Sequence, residues 1–148
     1  MRKTLLLSAA AFALATVSAQ ADTNVPVGQF HSVSIEGMGH VTFVHGAQQR
    51  VVLKRGDTSN TKIYVKDGDL VFKSCPGKGW FGWNSSCPSG YELEVEVTTP
   101  ALSGVEIDGS GKFDTNGPFP QQPKLAIEIN GSGNVDLSGM AAGSSDVA

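Results

Sequence analysis

The chain has 148 residues, 40% hydrophobic and 17% charged, with a formal net charge of −3. Beyond Arg2 and Lys3 its cations are scattered from Arg50 to Lys124 with acids between most of them, so no basic stripe exists to hold a phosphate backbone and nucleic acid is a poor partner. The length is that of one domain.

Residues 1–21 read as a signal peptide. Arg2 and Lys3 supply a cationic start, Leu5 to Val17 an apolar run, and Ala19-Gln20-Ala21 a small-x-small cleavage site. The run falls short of the roughly 20 residues that span a bilayer. Its removal takes away two cations and no anions, moving the formal charge from −3 to −5 and leaving an exported chain with no transmembrane segment. Residues 22–28 form a polar lead-in. From Phe30 onward the pattern is strand after strand: Phe30 to Ile35, His40 to His45, Arg50 to Lys54, then Lys62 to Val65 and Asp69 to Phe72 around the turn Lys66-Asp67-Gly68. Tyr91 to Val97 alternates most cleanly, Leu93, Val95 and Val97 on one face and Glu92, Glu94 and Glu96 on the other. Val105 and Ile107, Phe113, Leu125 to Ile129, and Val135 with Leu137 complete the set. No window sustains a helical period. Residues 140–148 lack a lipidation signal and read as a flexible tail.

Three segments repeat one pattern: 34–43, 106–115 and 128–137. Each carries a β-branched residue, a Gly-x-Gly corner, a polar residue and another apolar residue. The corners are Gly37 and Gly39, Gly109 and Gly111, and Gly131 and Gly133. The last two copies are offset by 22 residues, a length suited to one coil of a β-solenoid. Glycine at such corners accommodates positive φ at least cost. Alternation then places Ile107, Phe113, Ile129 and Val135 inside, with Glu106 beneath Glu128 and Asp114 beneath Asp136 outside. The expected fold is all-β, a right-handed parallel β-solenoid over residues 29–139, with an antiparallel β-sandwich as the competing architecture.

Phe30-x-x-Val-x-Ile-x-Gly-x-Gly39, the Pro100-x-Leu102 step and the recurring Ile-x-Gly-Ser-Gly of 107–111 and 129–133 resemble the head GIN domain of auto-transporter adhesins. The resemblance spans roughly Gln29 to Gly139. It implies a right-handed β-solenoid on exported bacterial proteins, with adhesion suggested by name. The Gly-Ile-Asn order itself is absent, Ile129-Asn130-Gly131 being the nearest run, and members tend to continue for further coils.

Phosphate-loop and dinucleotide signatures fail. Glu106 and Phe113 stand where a Walker motif needs Gly and Ser or Thr, and Thr42, Asp114 and Asp136 occupy the third glycine of the dinucleotide fingerprint. The stacked acids suit a solvated outer face, with a bound cation as the alternative. His31, His40 and His45 read as surface or edge histidines, because His40 and His45 point to opposite faces of one strand. No catalytic, cofactor or metal residues are assigned. Asp108, Lys112 and Asp114 form a thin version of a polysaccharide-lyase cluster, which makes a β-helix-type carbohydrate-active enzyme the alternative to a non-catalytic binding, adhesive or envelope-structural role.

An exported chain with Cys75 and Cys87 alone is expected to join them in a disulfide. Within the loop so closed, Trp80, Phe81 and Trp83 crowd into four residues. They suit stacking on a sugar ring or contact with an envelope protein; the competing reading has the rings covering the flank of the domain. A solenoid end without a polar cap also offers edges for homo-oligomers. The location expected is the periplasm or the cell surface.

Overall fold

A computed structural model describes residues 22–76, 87–142 and 145–148. Among these residues there is no helix, and hence none long and apolar enough to cross a membrane. Fourteen strands follow one another: β1 (Thr23–Val25), β2 (Ser32–Gly37), β3 (His40–His45), β4 (Arg50–Arg55), β5 (Thr61–Lys66), β6 (Asp69–Ser74), β7 (Glu94–Thr99), β8 (Gly104–Gly109), β9 (Lys112–Thr115), β10 (Phe119–Gln122), β11 (Leu125–Gly131), β12 (Asn134–Asp136), β13 (Met140–Ala142) and β14 (Ser145–Val147). They form two six-stranded sheets, β1-β4-β7-β3-β9-β12 and β14-β11-β8-β2-β6-β5, and a β10-β13 pair.

The repeat is visible in the pairing. β8 and β11 run parallel with Glu128 opposite Glu106 and Gly131 opposite Gly109, and β9 and β12 pair Asp136 with Asp114. The remaining copy, 72 positions before the middle one, lies directly beneath it: β2 pairs with β8, Gly37 opposite Gly109, and β3 with β9. A uniformly parallel solenoid over residues 29–139 is not what forms, however. β1 and β7 both run antiparallel to β4, and β5 antiparallel to β6, so both large sheets are mixed. For β5 and β6 a short connection is the reason. Lys66-Asp67-Gly68 takes positive φ at Asp67 (54°) and Gly68 (81°), the conformation of a tight hairpin that can join only antiparallel neighbours.

Strands also occur in the lead-in and the tail. In the lead-in Thr23 pairs with Leu53 and Val25 with Val51. The tail is also paired: Met140–Ala142 runs parallel to β10 and Ser145–Val147 parallel to β11, carrying the parallel stack past Gly139. Backbone donors and acceptors left open along β11 provide the reason, since an unpaired strand edge is a template for the next strand.

One core lies between the large sheets. Val33, Ile35, Val41, Phe43, Phe72, Ile107 and Phe113 are fully buried, and Phe43 stacks on Phe113 with ring centroids 5.4 Å apart. Towards the last coil Ile129, Val135 and Leu137 are only partly covered. Side-chain amides pair with backbone groups at the edge of the core, while among the described residues Asp114 Oδ1 is buried without a hydrogen-bond partner. Gln122 accepts from the Leu102 amide at 2.9 Å, and Gln49 both accepts from the Phe30 amide and donates to its carbonyl.

The two glycines of each corner serve different ends. Gly109 and Gly131 have φ near +132°, and a Cβ on either would lie 2.3 Å from the carbonyl oxygen of the glycine stacked below. Gly39, Gly111 and Gly133 do not need positive φ. They keep space instead: a Cβ at Gly111 would meet Ile35 at 3.0 Å, and one at Gly133 would meet Ile107 at 2.6 Å. The shared positive-φ role expected for all six is corrected to these two separate roles.

Candidate functional site

Cys75 and Cys87 are bonded, their Cα atoms 5.1 Å apart. The root of the loop is firmly seated. Cys75 follows β6 directly, is 6% exposed, and its amide donates to the Asn60 carbonyl at 2.6 Å, extending the β5–β6 hairpin. On the other side, the Tyr91 amide donates to the Pro88 carbonyl, and the Tyr91 and Thr61 hydroxyls are hydrogen-bonded. Trp80, Phe81 and Trp83 lie outside the described residues.

Beside this root lies a cavity of about 230 Å³ lined by Met38, His40, Tyr91, Glu92, Leu93 and Glu94, together with Gly39. Met38 is at the first corner, 43% exposed, its amide held by the Ser74 hydroxyl at 2.8 Å. Arg55 bridges Glu92 and Glu94. Parallel pairing puts His40 opposite Glu94 on one side and Lys112 on the other, and Thr42 opposite Asp114. His40 Nε2 lies 2.7 Å from Asp114 Oδ2 and Lys112 Nζ 3.2 Å from it. Burial acts to raise the Asp114 pKa, but hydrogen bonds from His40, Thr42 and Lys112 outweigh it and hold the carboxyl below its ordinary range. An anionic carboxylate only accepts, so it is the His40 ring that donates Nε2–H. Sequence reading missed this pair; residues 74 positions apart leave no local signal.

The lyase-like trio is divided. Lys112 and Asp114 lie on the outer face of one sheet, whereas Asp108 stands on the outer face of the other, beside Glu36 and its partner Lys73. The histidines are dispersed as well. His45 meets the Phe119 ring edge-on at 5.4 Å, and His31 adjoins Ser103, whose hydroxyl lies 2.9 Å from the His31 carbonyl and donates to it. The same hydroxyl lies 3.3 Å from His31 Nδ1.

Larger cavities occur among the described residues, one of them, of about 350 Å³, between Asn24–Val27 and Gln49–Val51. Another of about 590 Å³, between Val27–Phe30 and Ala47–Gln49, has no titratable lining. A third, about 440 Å³, runs along the outer face of the other sheet past Asp69, Glu106 and Glu128. Burial raises the pKa of both Asp69 and Glu106, and the stacked Glu128 adds to the effect on Glu106. Among the described residues no cluster of three or more His, Cys, Asp or Glu could hold a metal ion.

The family model for "Putative auto-transporter adhesin, head GIN domain" matches residues 29–148, over half of the chain. The chain belongs to this family. The head GIN fold is shared with a putative adhesin from Bacteroides fragilis (TM-score 0.67, 17% identity, 86% of this chain and 56% of that one) and one from Parabacteroides distasonis (0.65, 17%, 86% and 51%). A putative lipid binding protein from Parabacteroides distasonis is also similar (0.61, 17%, 79% and 48%). The chain spans about half the length of these solved structures. Among curated proteins none matches it.

Proposed function

We propose that this chain is an exported, non-catalytic head GIN domain that binds a glycan or an envelope protein through the loop closed by Cys75 and Cys87. The observation that carries the reading is the disulfide itself, which fixes both ends of the segment containing Trp80, Phe81 and Trp83 to the buried end of β6. Tying down the ends of a loop lowers the ordering cost of binding, and tryptophan and tyrosine side chains supply most of the energy at recognition surfaces. A disulfide also suits the oxidising compartment to which residues 1–21, read as a signal peptide, would direct the chain. The adhesin names of the family and of the solved relatives favour a periplasmic or surface role. The parallel 22-residue register of β8–β11 and β9–β12 supports a solenoid-like stack of the C-terminal coils as the scaffold of that role.

The test is a glycan array and an envelope pull-down on the mature chain, with a Trp80→Ala/Trp83→Ala variant as control. Binding lost in the variant with an unchanged melting temperature supports recognition through the loop. A large fall in melting temperature with unchanged binding would show that the rings cover the domain instead.

A further inference from the structure

We infer that Met38 and His40 form a binding site for a soft monovalent d10 cation, Cu(I) being the biological member of that class. The two residues stand on either side of the Gly39 corner and line the same cavity of about 230 Å³. Met38 is one of only two large apolar side chains that the described fold leaves exposed. A thioether is a poor ligand for hard or borderline ions and a good one for Cu(I), with which imidazole is also compatible.

The imidazole is prepared for the task. Asp114 Oδ2, 2.7 Å from His40 Nε2, accepts a hydrogen bond from its N–H. With Nε2 engaged by Asp114, Nδ1 is the ring nitrogen left for a ligand bond, and the ring is restrained. A carboxylate holding the second nitrogen of a histidine is the arrangement that orients histidine ligands in metal sites. Lys112 at 3.2 Å and the hydrogen-bonded Thr42 hold that carboxylate in place. Glu94, opposite His40 on β7, brings negative charge to the cavity, partly offset by Arg55 at 3.6 Å.

Hard and borderline ions fit poorly. Calcium needs six to eight oxygens and structural zinc four N, S or O ligands, but no cluster of three or more His, Cys, Asp or Glu gathers among the described residues. One nitrogen and one thioether suit an ion content with low coordination. The reading does not depend on the Trp80–Trp83 loop and stands whether or not that loop binds.

The experiment titrates the full mature chain with Ag(I), a redox-inert probe of the same class that needs no reductant and so leaves Cys75–Cys87 intact. NMR follows the Met38 methyl group and the His40 ring nitrogens. The expected result is one equivalent bound, with shifts at the Met38 methyl and His40 Nδ1. Affinity should fall at least tenfold in Met38→Leu and in His40→Gln, and about 10–100-fold in Asp114→Asn. Met38→Leu changes only an exposed side chain, so its folding is secure if Asp114→Asn proves unstable. Asp114 is a positioning residue: in Asp114→Asn the Met38 methyl should still shift at high Ag(I), while the His40 Nδ1 response weakens. Cu(I) held by ascorbate, with thiol assay of the disulfide, should follow the same order. Overturning results are shifts confined to His31, His45 or Met140, affinity unchanged in both Met38→Leu and His40→Gln, or Zn(II) binding as tightly as Ag(I) and independently of Met38.

Discussion

A Cβ placed on Gly109 would lie 2.3 Å from the carbonyl oxygen of Gly37, a residue 72 positions earlier in the chain and one strand away in the sheet. The column Gly37–Gly109–Gly131 thus lets three corners stack at backbone contact, and the sheets on either side inherit their register from it. Replacing Gly109 with alanine combines a steric overlap with a φ of +133°. The expected cost exceeds about 2 kcal/mol in urea unfolding. Gly28→Ala, where a Cβ meets nothing within 4 Å and no positive φ applies, should stay within about 0.5 kcal/mol of the parent. Equal costs at both positions would refute the stacked-corner account.

Reducing Cys75–Cys87 releases a loop with a sequence separation of 12. Loop-closure entropy for that length gives a stabilisation of up to about 3 kcal/mol. A lower melting temperature in reductant, reproduced by a Cys75→Ser/Cys87→Ser variant without it, is the expected outcome.

Asp114 has a folded-state pKa below its ordinary value, so its contribution to stability is complete above that ordinary value and lost as pH falls through the folded one. Asp114→Asn should therefore destabilise the domain at pH 7. Parent and variant melting temperatures should converge as pH drops below about 4, the ordinary aspartate range. A gap that is constant from pH 7 to pH 2 would remove ionisation from the account.

Glu106 is the opposite case. Burial, followed by the stacked Glu128, raises its pKa, so the folded state holds its proton to higher pH than the unfolded chain does. Stability is lost as pH rises through the window above the ordinary glutamate value. Glu106→Gln is expected to raise the melting temperature at pH 7 and to leave it unchanged at pH 3, read by thermal scans at both pH values.

The sequence by itself determined which side chains face inward, where the tight turns fall and which two cysteines bond. Ile35, Ile107 and Phe113 are buried where period-2 alternation puts them, and Lys66-Asp67-Gly68 turns the hairpin. These are local properties, since alternation and positive φ are set by a residue and its immediate neighbours. The 22-residue offset likewise anticipated the pairing of Gly131 with Gly109. Only the tertiary structure decided what lies beside what. That β2 sits beneath β8, that β4 runs antiparallel to β1 and β7, and that the tail continues the parallel sheet all follow from satisfying strand edges and closing one core, which no single window encodes. The bond between His40 and Asp114 belongs to the same class: it exists because β3 and β9 became neighbours, and its chemistry was not legible until they did.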